Sequence, residues 1–214
     1  MRLQGDKIAL FLSGQDVPVF ECNIIIHQPT IKQIVAFKET SFINAVQLFG
    51  KMDENIQKLR EANPMTDQFT DFQLLMALLN QDDKIKQNIN SFFELIFPQY
   101  KIEIRDNEIC FYLDERRVGM INLYNYKVFC STIDELFGLP TDGKKYDPAN
   151  KKAQELADKF KERAERLARN KGKSEESPSL YGTYISVLSV GMNMDIHILF
   201  EYTPFQLYDI FNRY

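Results

Sequence analysis

Tyr100–Leu113 reads YKIEIRDNEICFYL. Ile102 and Ile104 alternate with charged residues. Ile109 and Phe111 repeat the alternation beyond RDNE, and Asp106-Asn107 is suitable two-residue hairpin chemistry. A period of two therefore interrupts a chain whose other apolar residues mostly recur at helical spacing. That contrast decides the fold class: α+β, predominantly helical, with two small β-hairpin elements and a C-terminal three-helix module.

C-terminal to this stretch, VGMINL extends the β region by a third strand, and YNYKVFCSTIDELFGL is helical with Gly138 at its end. On its N-terminal side, INSFFELIF is a helix closed by Pro98, and TDFQLLMALL is a helix capped by Thr70 or Asp71. The latter carries the stripe Phe72, Leu75, Met76 and Leu79. Lys51–Pro64 reads as a polar helix with a loop end. HQPTIKQIVAF predicts a helix with Pro29 at its first position. Its stripe of Ile31, Ile34, Val35 and Lys38 continues through Phe42, Val46 and Phe49 to a stop at Gly50. KIALFL and VPVFECNIII, joined by SGQD, predict the other hairpin, within Lys7–Ile26.

The sequence suggests an α+β body over residues 1–170, a linker over 171–179 and a helical module over 180–214. The body ends in the polar helix Lys151–Asn170, and KGKSEESPS has linker composition. Lys151–Lys173 carries nine basic and four acidic residues, in a chain of net charge −4. Ala153, Ala157, Phe160, Ala164 and Leu167 form a two-heptad stripe there. That helix either lies on its own domain with a solvated outer face, or offers Phe160, Arg163 and Leu167 to a partner. In the module, Gly191 ends the first helix, Thr203 caps the last and Pro204 opens it.

The 214 residues suffice for a substantial core. A pI of about 5.4 lacks the basic footprint of a nucleic-acid binder. No apolar run is long enough to span a bilayer, and no signal peptide is expected from MRLQGDKIALFLSG. Cys22, Cys110 and Cys130 are few and odd in number, which points to buried thiols in a reducing compartment. GLPTDGKK, Gly138–Lys145, approximates a phosphate loop but has Lys145 where Ser or Thr is needed. It also follows a helix instead of a strand. His27 and His197 have no zinc-type spacing to cysteines and read as local hydrogen-bonding residues. The carboxylates of KMDENIQ, QDDK and LDERR read as solvated faces. No cofactor, metal, nucleic acid or membrane partner is expected, and no catalytic residue.

The last thirteen residues, YTPFQLYDIFNRY, contain five aromatics. Phe205, Tyr208 and Phe211 recur at helical spacing, and Leu207 with Phe211 and Tyr214 gives a second stripe. Such a helix is either deep core or offers one side to a partner.

ISVLSVGMNMDIHILFEYTPFQLYDIF resembles the C-terminal motif of phage tail assembly chaperones. In that group a helix ending in Gly leads to a short helix, and a Thr-Pro step opens an aromatic final helix. HQPTIKQI also has a counterpart near the front of tail-cluster proteins from phages of Gram-positive bacteria. Members often carry Trp near these helices, and this chain has none. The resemblance implies a non-enzymatic chaperone in the host cytoplasm. Its partners would be the helical tape measure protein, possibly the major tail protein and possibly a second copy of itself. Phe205, Tyr208 and Phe211 would form the partner surface. The rival expectations are a structural virion component and a host-directed effector or small enzyme.

Overall fold

A computed structural model describes residues 2–50, 60–61, 64–105, 107–137 and 179–213. The fold is α+β and predominantly helical, with one two-stranded and one three-stranded antiparallel sheet. The chain groups into two units. One comprises residues 1–28 and 41–139, and the other 29–40 and 140–214. Residues 29–40 thus group with the C-terminal helices. The expected helix Lys151–Asn170, the linker up to Pro178 and the phosphate-loop-like string lie outside the described residues.

In the first unit, α1 (Arg2–Ser13) covers KIALFL, so this stretch is helical and not the first strand of the expected hairpin. The helix ends at Ser13, the first residue of SGQD, which is not a hairpin turn. Gly14, at φ 69°, donates its amide to Phe11 O at 3.2 Å, and glycine takes this left-handed conformation without a Cβ penalty. The hairpin is confined to β1 (Val17–Val19) and β2 (Ile24–Ile26), paired Val17 to Ile26 and Val19 to Ile24. Those four side chains are buried, while Pro18 and Ile25 face outward.

β3 (Lys101–Arg105), β4 (Glu108–Leu113) and β5 (Arg116–Ile121) form the second sheet. Ile102 pairs with Phe111 and Ile104 with Ile109, the register its alternation implies. Asp114 and Glu115, at φ 47° and 64°, make the left-handed pair that a two-residue link to β5 requires. β4 is central, and among the described strands β3 pairs with β4 alone.

α4 (Asp71–Gln81), α5 (Asp83–Ile96) and α6 (Tyr126–Phe137) complete this unit with most of α3 (Glu39–Gly50). Their apolar stripes meet in a phenylalanine core. Phe49 packs edge-on to Phe129 at 5.3 Å, and Phe97 edge-on to Phe111 at 4.8 Å, geometries that add to plain area burial.

The two β elements are locked at one point. Met120 N donates to Cys22 O at 3.0 Å. A Cβ on Gly119 would lie 2.4 Å from Asn23 O, so only glycine permits this approach. The buried Asn125 amide donates to Glu21 O at 3.0 Å and Met120 O at 2.9 Å.

The second unit contains α2 (Ile31–Phe37) and the described C-terminal helices α7 (Leu180–Met192), α8 (Ile196–Phe200) and α9 (Pro204–Arg213). Thr30, not Pro29, starts α2. Its hydroxyl accepts from Gln33 N at 3.3 Å, and the Gln33 side chain accepts from Thr30 N at 2.8 Å. The expected single helix up to Gly50 is broken: Lys38 has φ 102° and ψ 101°, and α3 starts anew at Glu39. Ile31 N donates to Tyr202 O at 2.8 Å, and Lys32 pairs with Glu201 at 2.8 Å, which seats α2 beside the end of α8. Glu39 accepts from Tyr181 N at 3.0 Å and from the Ser179 hydroxyl at 2.5 Å, adding negative charge at the start of α7.

Candidate interaction surface

Thr203 sets where α9 begins. Its hydroxyl accepts from Gln206 N at 3.3 Å, and Gln206 Oε1 accepts from Thr203 N at 2.9 Å. Two amides that would otherwise lack acceptors are thereby satisfied. Pro204 follows as the first helical residue, where its missing N–H costs nothing.

From that start, about 100° of rotation per residue decides what each aromatic does. Leu207 and Phe211 lie about 40° apart and are both buried, Leu207 completely. Phe211 packs its ring 4.4 Å from that of Tyr184 on α7. Tyr208 lies on the flank of this stripe and Phe205 nearly opposite it, about 140° from its middle, and both are half-exposed. The three expected partner residues of α9 are therefore not equivalent. Phe211 belongs to the core of its unit, because it shares the Leu207 side of the helix. The other expected partner residues, Phe160, Arg163 and Leu167, lie outside the described residues.

Sequence reasoning missed the corner between α7 and α8. α7 runs one residue past Gly191, and Asn193, left-handed at φ 54°, takes the cap position expected of that glycine. The Ser189 hydroxyl donates to Met194 O at 2.9 Å, and Asp195 caps α8 by accepting from His197 N at 2.8 Å. The corner is thus braced by hydrogen bonds, yet its side chains are strongly apolar and open to solvent. Val190 is 63% exposed, Ile198 52%, Met192 44% and Ile196 43%. A signal was present in IHILF: a five-residue helix with apolar residues on every side cannot bury them all.

Several of the described titratable groups are held in surface pairs or short hydrogen bonds. His27 Nδ1 lies 3.0 Å from Asp16, and His197 is exposed on the first turn of α8. Arg117 holds Glu108 through contacts of 3.0 and 2.6 Å, and Arg60 meets Asp71 at 3.1 Å beside an open cleft reaching Tyr126 and Lys127. Cys22 and Cys110 are buried and Cys130 half-buried, and none of the three is in a disulfide. Burial, helped by the neighbouring Glu21 charge, pushes the Cys22 thiol up to about 12, so it is a poor nucleophile. Among the described residues, no group of three or more His, Cys, Asp or Glu side chains is placed to hold a metal ion. Among them, too, no helix is long and apolar enough to cross a membrane.

No family model matches this chain, and no curated protein or solved structure is significantly similar to it.

Proposed function

We propose that this chain is a non-enzymatic assembly chaperone of the phage tail type, which binds a helical tape measure protein in the host cytoplasm. The observation that carries the reading is the braced α7–α8 corner, with Val190, Met192, Ile196 and Ile198 open to solvent. Phe205 and Tyr208 add half-exposed aromatic area in the same unit. An apolar helix needs a complementary apolar surface whose shape is set in advance, since ordering it on binding would cost affinity. The resemblance of Ile185–Phe211 to the tail chaperone motif names the kind of helix.

The test is co-expression with a phage tape measure protein, followed by affinity capture. The wild-type chain should co-purify with that protein and keep it in the supernatant. A Val190→Asp, Ile198→Asp double variant should melt normally and lose both effects. Failure of the wild-type chain to bind would overturn the reading. Retention of the chain in purified particles would favour a structural virion component instead.

A further inference from the structure

β3 is an edge of the three-stranded sheet, and its two faces differ. Lys101, Glu103 and Arg105 share one face, and Ile102 and Ile104 the other. Arg105 pairs with Glu108 across a two-residue link, so that rung exchanges both of its backbone bonds with β4. Glu103 and Lys101 do the same on alternate rungs. The N–H and C=O of Ile102 and Ile104 therefore point away from β4. Among the described residues, no hydrogen bond reaches these four groups.

The apolar face of the sheet also runs out at this edge. Ile109 and Phe111 on β4 are fully buried, whereas Ile104 and Ile102, opposite them on β3, are half-buried. Beside the two isoleucines lies an open groove of about 380 Å³, whose other side is formed by Asn90, Phe93 and Glu94 of α5. Both elements belong to the first unit.

We propose that β3 binds an extended peptide of another protein by antiparallel strand addition, with the sequence pattern acidic, apolar, basic, apolar, acidic. The two apolar residues sit opposite Ile104 and Ile102, exchange backbone bonds with them and extend the apolar face over the groove. The acidic residues sit opposite Arg105 and Lys101, and the basic one opposite Glu103. Glu103 already meets Lys101 at 3.4 Å and Arg105 at 3.1 Å, which leaves this face with one positive charge in excess. The peptide pattern carries one negative charge in excess and balances it. The α7–α8 corner belongs to the other unit, so this inference does not rest on what that corner binds.

The probe is the capped peptide Thr-Glu-Val-Lys-Val-Glu-Thr, titrated into the isotope-labelled full chain and followed by amide NMR shifts. The amides of Ile102 and Ile104 should shift and exchange more slowly with solvent. The charge-reversed peptide Thr-Lys-Val-Glu-Val-Lys-Thr should bind at least about tenfold more weakly, because three cross-strand pairs turn from attractive to repulsive. Methylating both valine nitrogens removes the donors aimed at β3 and should abolish binding. Lys101 is exposed, so Lys101→Glu should leave the fold intact and weaken the first peptide about threefold. Changing the second glutamate of that peptide to lysine should restore its affinity for the variant. Absence of shifts at Ile102 and Ile104 at millimolar peptide would overturn the proposal, as would undiminished binding of the methylated peptide. Equal binding of the two charge patterns would overturn the sequence assigned to the partner.

Discussion

The Phe211 ring lies 4.4 Å from the Tyr184 ring, centroid to centroid, with the two planes at 40°. This contact joins α9 to α7 and marks Phe211 as a packing residue. Phe211→Ala should lower stability by about 3–5 kcal/mol in denaturant melts. Phe205→Ala and Tyr208→Ala, at half-exposed positions, should cost much less stability. If these positions touch the proposed partner, at least one of them should weaken co-purification while melting normally. Loss of stability in all three would confine α9 to the core and leave the α7–α8 corner as the partner surface.

The capping pattern Thr-x-x-Gln occurs at three helix starts: Thr30 with Gln33, Thr70 with Gln73 and Thr203 with Gln206. Each threonine satisfies an amide that would otherwise lack an acceptor. Thr→Ala at any one of them should cost about 1 kcal/mol, and Thr→Ser much less. Three separate thermal melts check this, and equal tolerance of Ala and Ser would refute the capping role.

Gly119→Ala should be among the more damaging one-carbon changes in the chain. The new methyl group would lie 2.4 Å from Asn23 O and 2.6 Å from Cys22 O, both backbone atoms that cannot swing aside. A cost of about 1–3 kcal/mol is expected. Hydrogen exchange should also quicken at the Met120 amide, which donates to Cys22 O. An unchanged melting temperature would mean that the turn can move away.

Thiol chemistry should separate the three cysteines. Near neutral pH, Cys130 should react with a disulfide reagent ahead of Cys22 and Cys110, which are buried. Burial raises the Cys22 thiol from 9.0 in an open environment to about 12, with the Glu21 charge adding to the effect. A group whose pKa is raised on folding contributes stability that is complete below the unfolded value and lost as pH rises through the folded one. The loss therefore falls between 9.0 and about 12. Burial raises the Tyr181 phenol too, which steepens the same alkaline limb. Urea melts of Cys22→Ala at neutral and alkaline pH should show a shallower loss than the wild type.

The three-stranded sheet was legible because its alternation is clean and its connections are short. Ile102, Ile104, Ile109 and Phe111 specify both register and inward face. The start of α9 was legible because Thr203-Pro204 carries its own capping chemistry. KIALFL was not legible, because a short apolar run fits a strand or a helix and only Gly14 decides between them. The break at Lys38 was hidden by an unbroken helical repeat, and the contact made just beyond it, Glu39 with Tyr181, spans 142 residues. The exposed corner at Val190–Ile198 escaped for a different reason. Hydrophobic character announces burial, and nothing local marks the residues that stay outside.

The edge strand β3 has a consequence for how the protein behaves at high concentration. Its exposed residues are Lys101 and Arg105, with Glu103 between them on the same face. Two copies meeting edge to edge in antiparallel register about Glu103 would set carboxylate against carboxylate. The flanking rungs would oppose Lys101 and Arg105, cation against cation. Every charged rung of that ladder is repulsive, whereas within the sheet β3 meets Tyr112, Cys110 and Glu108 at those positions. In that register the strand accepts its own neighbour and rejects its duplicate, so symmetric edge-to-edge pairing about Glu103 is disfavoured even when many copies are made at once.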